Sequence, residues 1–194
     1  MLPQGEISCV LLAAGSSRRM GKDKLALPFR GSTVLATSSA AASALPFRER
    51  VLVVAEGNRE TPLGFTPVVI PADGPMHASI KAGIRALAPE TKAVMITLAD
   101  QPFLEPGDYH AILRAWHEAL ATGRDLLQPV NAKGGRGHPV LIHARYFPEI
   151  LAHPDDDRGC HYLFSRHADR AAFWPTENPA YFRDLDSPED YAHA

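Results

Sequence analysis

The sequence predicts a three-layer α/β/α domain around a mostly parallel, Rossmann-like sheet. Several short runs are apolar throughout, which is typical of strands that are buried on both faces of a parallel sheet. Helical patterns of apolar residues separate these runs, so strands and helices alternate along the chain. With 194 residues and a 45% hydrophobic fraction, the chain is long enough for a substantial core, and we expect residues 1–194 to form one domain.

The predicted elements follow in order along the chain. Apolar runs predict strands at Ile7–Ala13, Arg50–Ala55, 68–70, Ala93–Leu98, Leu126–Val130, 138–142 and 171–174. Helical spacing, cap residues and prolines predict helices at 33–45, 76–87, 106–122, 146–151 and 160–167. Either Ser32 or Thr33 is suited to cap the first helix, and the strand at 138–142 is expected to run antiparallel to the others.

Charge and composition exclude several classes of protein. A formal net charge of -2 gives no general attraction for nucleic acid or an anionic membrane. No apolar run approaches the roughly 20 residues that a transmembrane helix needs, and the first residues lack the pattern of a signal peptide. We therefore expect a soluble, cytoplasmic protein with neither nucleic-acid nor membrane partners. Cys9 looks like a core residue and Cys160 lies in a polar stretch, and a disulfide between them stays an open alternative.

A loop of small and basic residues follows the first strand. The small side chains of residues 13–16 let the backbone approach a ligand closely, and successive backbone N–H groups in such a turn can bind an anion. Arg19 and Lys24 add positive charge in a loop that we expect to be exposed, and Gly21 permits an unusual backbone conformation. Neither Walker nor Rossmann spacing is present. From the residues alone, the loop is either an anion site or a tight strand-to-helix turn with solvated basic side chains.

An aspartate follows a second buried strand at the same predicted edge of the sheet. Ligands of open α/β sheets bind at the carboxyl ends of the strands, and the segments after Ala13 and after Leu98 both lie there. Asp100 belongs to the second of these segments, in the tetrad ADQP. Because Mg²⁺ is usually held by one or two carboxylates together with phosphate oxygens, Asp100 is a candidate magnesium ligand. The alternative is an aspartate that only caps the following turn.

The loop after the first strand resembles the signature LAAG-x-S-x-R-M-G-x-x-K-x-x-L-P of the molybdenum cofactor cytidylyltransferase-like nucleotidyltransferases, which build molybdopterin dinucleotides. The matching residues are Leu12, Ala13, Ala14, Gly15, Ser17, Arg19, Met20, Gly21, Lys24, Leu27 and Pro28. The resemblance implies a glycosyltransferase-A-like sheet and a loop that holds the base and triphosphate of an NTP. It also implies that Arg19 and Lys24 neutralise the triphosphate and act with Asp100 in catalysis.

Further segments extend the resemblance. LADQP has the form found in this family, and RDLDSPEDY resembles its D-I-D-T-P-E-D-L segment, which implies that Asp186 completes the magnesium site with Asp184 as a substitute. GPMHASIKAG resembles G-M-x-x-S-[IL]-x-x-G and implies that Ser79 binds the nucleotide. GRGHPVLI resembles G-x-x-G-H-P-V-L-[FI], which makes Arg136 and His138 candidate contacts to the acceptor phosphate. A purely structural role for the histidine stays open.

The resemblance implies transfer of CMP from CTP to the phosphate of molybdopterin, with release of pyrophosphate and with Mg²⁺ as cofactor. A molybdoenzyme or its maturation chaperone is then an expected partner. The alternatives are the same chemistry with GTP or a sugar-phosphate acceptor, and a non-catalytic chaperone that carries the cofactor. Ala14 favours CTP, because its Cβ takes space that a two-ring base needs, although a simply tighter turn explains the alanine as well. The implied nucleotide-binding residues are Leu12, Ala13, Ala14, Gly15, Ser17, Arg19, Gly21, Lys24 and Ser79, and the implied metal ligands are Asp100 and Asp186.

Overall fold

A computed structural model describes residues 4–15, 23–57 and 60–192 of the chain. The strands are β1 (Ile7–Ala13), β2 (Pro28–Phe29), β3 (Ser32–Thr33), β4 (Arg50–Ala55), β5 (Thr66–Ile70), β6 (Ala93–Leu98), β7 (Leu126–Val130), β8 (Val140–His143) and β9 (Ala171–Pro175). The α-helices are α1 (Val34–Ser43), α2 (Met76–Arg85), α3 (Pro106–Ala121), α4 (Phe147–Ala152), α5 (His161–Arg166) and α6 (Pro188–Ala192). Short 3-10 helices cover Gln4–Glu6, Lys24–Ala26, Ala144–Tyr146 and Pro179–Phe182.

Seven of the strands form one sheet in the order β5-β4-β1-β6-β8-β7-β9. Neighbouring strands are parallel except that β8 runs antiparallel to both β6 and β7. These pairings confirm the predicted mostly parallel sheet and the predicted antiparallel strand. Because β1 and β6 are parallel neighbours, with Leu12 opposite Leu98, the segments that follow these two strands emerge at the same edge of the sheet.

Two layers of helices cover the sheet, as predicted. Along β1, Cys9 and Leu11 belong to the core beneath α1 and α3, whereas Val10 and Leu12 belong to the core beneath α2, α4 and α5. Every residue of β1 is buried, which explains why its sequence shows no polar alternation. Helix α2 packs closely on β1, since a Cβ on Gly83 would lie 2.5 Å from a methyl group of Val10.

Some local features sharpen or correct the expectations from sequence. Thr33 caps α1 by accepting a hydrogen bond from the backbone N–H of Ala36 at 3.1 Å. The hairpin of β2 and β3 is not predicted, because two-residue strands carry no periodic signal. Both cysteines are free and buried in different cores, so the disulfide alternative is wrong and Cys160 does not lie in polar surroundings. Over the described ranges, no helix is both long enough and apolar enough to cross a membrane.

Candidate active site

A cavity of about 320 Å³ opens at the edge of the sheet where β1 and β6 end, and we refer to it as the first cavity. The sequence-predicted residues that line it are Leu12, Ala13, Ala14, Gly15, Lys24, Ser79, Asp100 and Asp186. The predicted residues Ser17, Arg19 and Gly21 lie outside the described residues. Side chains that are far apart in the sequence therefore meet at one carboxyl edge, which is where parallel sheets bind their ligands.

Lys24 bridges the two aspartates that are predicted to hold magnesium. Its Nζ lies 2.6 Å from Asp100 Oδ2 and 2.8 Å from Asp186 Oδ1. The residue is only 8% exposed, so the predicted exposed position is wrong. A 3-10 turn with Asp23 as its N-cap begins at this lysine. The two ion pairs offset the desolvation free energy of the buried ammonium group.

Surrounding charges keep Lys24 protonated. Burial acts to lower the pKa of its ammonium group, but the charges and hydrogen bonds of Asp100 and Asp186 outweigh burial and raise the pKa above the ordinary lysine value. Burial, followed by the negative charges of the same two aspartates, raises the pKa of Asp184. Asp100 and Asp186 therefore flank one ammonium, and Asp184 lies close enough for their charges to act on it.

The C-terminal segment reaches the cluster through a backbone anchor. Leu185 is buried, and its N–H donates to the carbonyl oxygen of Asp100 at 2.9 Å. This bond holds Asp184 and Asp186, on either side of the leucine, close to Asp100. The backbone N–H of Asp186 also donates to the carboxylate of Asp190 at 3.2 Å. A buried leucine and two hydrogen bonds thus position the second predicted metal ligand.

Asp100 offers a ligand position that the described residues do not fill. Its Oδ2 accepts a hydrogen bond from Lys24, whereas its Oδ1 is buried and accepts none from the described part of the chain. A buried carboxylate oxygen without a donor suits a hard cation such as Mg²⁺, which prefers oxygen ligands. Within the described ranges, no three His, Cys, Asp or Glu side chains converge into a complete metal-binding group. A cation between Asp100 and Asp186 would therefore complete its shell with phosphate oxygens or water.

A second cavity of about 210 Å³ adjoins the first, and the two share Leu12 and Met76 in their walls. Buried apolar side chains form much of its lining, namely Ile80, Ile96, Val140, Cys160 and Phe164. The predicted acceptor residues Arg136 and His138 both line this second cavity. The structure thus brings the two predicted acceptor residues together, next to the cavity that contains the predicted nucleotide residues.

The rim of the second cavity is positively charged. Arg136, Arg158 and His161 are exposed residues that line it. Partial burial, and then the charges of Arg136 and Arg158, lower the pKa of His161, so both guanidinium groups act on the same place. Guanidinium groups recognise phosphate through paired hydrogen bonds. The rim is therefore suited to an anionic group on a ligand.

His138 combines a structural contact with a position in the second cavity. Burial lowers the pKa of its imidazole to about 4, against the opposing effect of the Asp100 charge, so the ring is neutral at neutral pH. Its backbone N–H donates to the carbonyl oxygen of Tyr181 at 2.9 Å, and a Cβ on Gly137 would collide with that same oxygen. A neutral His138 can offer a phosphate one hydrogen bond, whereas Arg136 also offers a charge.

Sequence analysis does not single out Gln128, which lies in β7 and lines the second cavity. Its side chain is 7% exposed, and Nε2 donates to the carbonyl oxygen of Gly137 at 3.3 Å. In the sequence, Gln128 is one polar residue inside an apolar run. This pattern is equally typical of an edge strand and of a buried polar site. The sheet order decides between them, because β7 lies between β8 and β9.

The fold and the two cavities define a class of enzyme. One edge of a mostly parallel sheet carries a cavity with a small-residue loop, an ammonium and carboxylates, next to a cavity with a basic rim. Such an edge can bring two phosphate-bearing molecules together. The profile of the MobA-like NTP transferase domain matches residues 9–171, and the chain belongs to this family. It is a nucleotidyltransferase.

Individual relatives agree with this assignment. The chain is 28% identical to the purine catabolism protein PucB of Bacillus subtilis (strain 168), over 94% of this chain and 92% of PucB. It is also 28% identical to the molybdenum cofactor cytidylyltransferase of Escherichia coli (strain K12), over 97% of this chain and 95% of that enzyme. The crystal structure of Rv0371c from Mycobacterium tuberculosis H37Rv has the same fold, with a TM-score of 0.82, 24% identity, and coverage of 99% of this chain and 98% of that chain.

The family match does not extend to the C-terminal carboxylates. It ends at residue 171, before Asp184 and Asp186. These two residues join the site through the Leu185 anchor and the Lys24 ion pair, so their place in it is a result of the tertiary structure.

Proposed function

We propose that the protein transfers CMP from CTP to the phosphate of molybdopterin and releases pyrophosphate. The observation that carries this proposal is the meeting of Lys24, Asp100 and Asp186 in a cavity that adjoins a second one with a basic rim. The charge of Asp100 also acts on His138 in the second cavity. The acidic cluster therefore lies close to both cavities, as the centre of a transfer reaction between two bound molecules must.

Asp100 and Asp186 are the residues that would hold Mg²⁺ in this proposal, because they combine hard oxygen donors with an unfilled carboxylate position. Bound there, the ion would offset negative charge on the phosphates of the nucleotide. Lys24, which is already protonated and paired with both carboxylates, would exchange part of this pairing for the triphosphate. A phosphate nucleophile is ionised near neutral pH, so the chain needs to supply position and charge rather than a base.

The choice of CTP and molybdopterin draws on a relative and on Ala14. The E. coli relative is named as a molybdenum cofactor cytidylyltransferase, and the signature residues of the present chain resemble that group. Ala14 is buried and lines the first cavity, where its Cβ reduces the room for a base. Such steric exclusion discriminates by about 10- to 200-fold. We therefore expect a one-ring cytosine to be preferred to a two-ring guanine.

A pyrophosphate-release assay tests the proposal. Each of the four NTPs is offered with Mg²⁺ and molybdopterin, and CTP and GTP are then offered together at equal concentration. We expect the cytosine product from the wild type, a weaker preference from Ala14→Gly, and an unchanged preference from Ala14→Ser, which keeps the Cβ. Equal use of CTP and GTP would reject the cytidylyltransferase assignment. Binding of molybdopterin without pyrophosphate release from any NTP would instead indicate a carrier, and turnover only with a sugar phosphate would change the acceptor.

A further inference from the structure

The side-chain amide of Gln128 has a hydrogen-bond partner at its nitrogen, but none at its oxygen in the described part of the chain. Its Nε2 donates to the carbonyl oxygen of Gly137 at 3.3 Å. Its Oε1 is buried and has no hydrogen-bond partner in the described part of the chain. Buried polar atoms are normally paired, so an unpaired acceptor on a side chain that lines a cavity indicates a partner that comes from the ligand.

The orientation of the amide is determined by its neighbour. A carbonyl oxygen can only accept a hydrogen bond, so the amide end that faces Gly137 must be the donor Nε2. Rotating the amide by half a turn would place two acceptors against each other. Oε1 is therefore held as the free end of a side chain that lines the second cavity, and it can only accept.

The rest of the second cavity divides into two kinds of surface. Ile96 and Val140 are buried apolar residues of its lining, and they offer no polar partner to Gln128. Arg136 and Arg158 are exposed at the rim, and they suit the anionic group of a ligand. A molecule that fills this cavity thus meets positive charge at one end, apolar side chains along its body and one hydrogen-bond acceptor.

We propose that Gln128 is a specificity-determining residue for the acceptor substrate, whose N–H or O–H group donates a hydrogen bond to Oε1. The preferred acceptor is then a phosphorylated molecule that presents a donor group on the part that enters the apolar lining. A site with a buried hydrogen-bonding group rejects analogues that lack the matching group, since the group is then left unpaired. The inference rests on the proposed function, in which the acceptor occupies the second cavity.

Two substitutions test whether Gln128 recognises the acceptor or only holds the Gly137 segment in place. Gln128→Met keeps the length of the side chain but removes the acceptor and the donor. Gln128→Met is made alone and in combination with Arg136→Gln, because Arg136 directly precedes Gly137 and would move with a tethered segment. Leu127→Met is the matched control, because Leu127 is the preceding residue of β7 and belongs to the opposite core. KM for CTP and KM for molybdopterin are measured separately for each variant by pyrophosphate release.

We expect Gln128→Met to raise KM for molybdopterin about tenfold, which is the effect of one lost hydrogen bond, with KM for CTP unchanged. The two losses should multiply in the double variant, and Leu127→Met should change neither KM. A double variant with the same KM for molybdopterin as Arg136→Gln alone would mean that Gln128 only positions Arg136 by tethering Gly137, and this would overturn the inference. A wild-type KM in Gln128→Met, or a parallel rise of both KM values, would overturn it as well. If the wild type itself does not turn over molybdopterin, the proposed function fails and the inference falls with it.

Discussion

The two cavities satisfy their polar groups in different ways. In the first cavity, Lys24 and two aspartates bond to one another at 2.6 and 2.8 Å, so the charged groups are paired before a ligand arrives. In the second, Gln128 keeps an open acceptor and the arginines stand exposed at the rim. The difference teaches that a ligand of Lys24 in the first cavity must exchange existing partners, whereas Asp100 Oδ1 there and Gln128 Oε1 in the second cavity have no partner in the described part of the chain to exchange.

The largest effect is expected from Asp100, which lines the first cavity but not the second. Asp100→Asn keeps the size of the side chain but removes the charge that holds Lys24 and the proposed cation. We expect kcat/KM to fall by about 1,000-fold, with KM for the acceptor little changed. Asp155→Asn is the matched control, because this aspartate pairs with Lys81 at 2.8 Å and lines neither cavity. Equal losses in both variants would point to lost folding rather than to lost catalysis.

Lys24→Met tests whether the pairing in the first cavity is exchangeable. The lost charge should cost about 2–4 kcal/mol of transition-state stabilisation. Because the lysine is buried between carboxylates, its removal should also lower the free energy of unfolding. An exposed lysine, as the sequence predicts it, could be replaced with little effect on folding.

Magnesium provides a readout of the same variant that is independent of turnover. Mg²⁺ should raise the melting temperature of Lys24→Met more than that of the wild type, since the ion would find the carboxylates without a competing ammonium. Lys81→Met is the control, because it breaks another ion pair of a buried lysine outside the site. An equal magnesium effect on both variants would contradict the exchange of partners.

A smaller effect, confined to the second cavity, is expected from Arg136→Gln. Loss of one charged hydrogen bond to the acceptor should raise KM for the acceptor about tenfold, while KM for CTP stays unchanged. The effect should weaken as salt is added, because the rim is exposed. Arg166→Gln serves as the control, since Arg166 is also exposed, pairs with Glu149 and lines neither cavity. A rise in KM for CTP would mean that the two cavities are not separate in function.

The effect that is smallest at neutral pH concerns His138 and the pH dependence of stability. Its pKa is about 4 in the folded protein and about 6.5 in the unfolded chain. Above pH 6.5 the ring is neutral in both states and adds no pH dependence. Between pH 6.5 and 4 the imidazole of His138 binds a proton in the unfolded chain but not in the folded protein. The free energy of unfolding therefore falls as the pH is lowered.

Denaturant titrations of the wild type and His138→Gln between pH 4.5 and 7.5 measure this contribution. We expect the wild type to lose on the order of 2–3 kcal/mol more than the variant toward pH 4.5. Identical slopes would show that the imidazole is protonated equally in both states, and this would leave His138 free to act as a cation toward the acceptor phosphate.

Predictability from the sequence also differs between the cavities. The first cavity uses the loop after β1 and Asp100, which lies two residues after β6. Both follow buried strands whose ends are visible as the ends of apolar runs. The second contains the predicted residues Arg136 and His138, but much of its lining comes from strand and helix faces. Residues such as Gln128 and Phe164 appear in the sequence only as members of apolar or mixed runs. Ser17, Arg19 and Gly21 remain predictions, because they lie outside the described residues.

By itself, the sequence determined the alternation of strands and helices, the starts of the longer helices and the signature loop, because each depends on residues that are close along the chain. Tertiary structure alone decided that Lys24 is buried, since its partners Asp100 and Asp186 are 76 and 162 residues away. It also decided which end of the Gln128 amide stays free, through a carbonyl oxygen 9 residues further on. Burial and pairing depend on which segments fold against one another, and no local pattern encodes that.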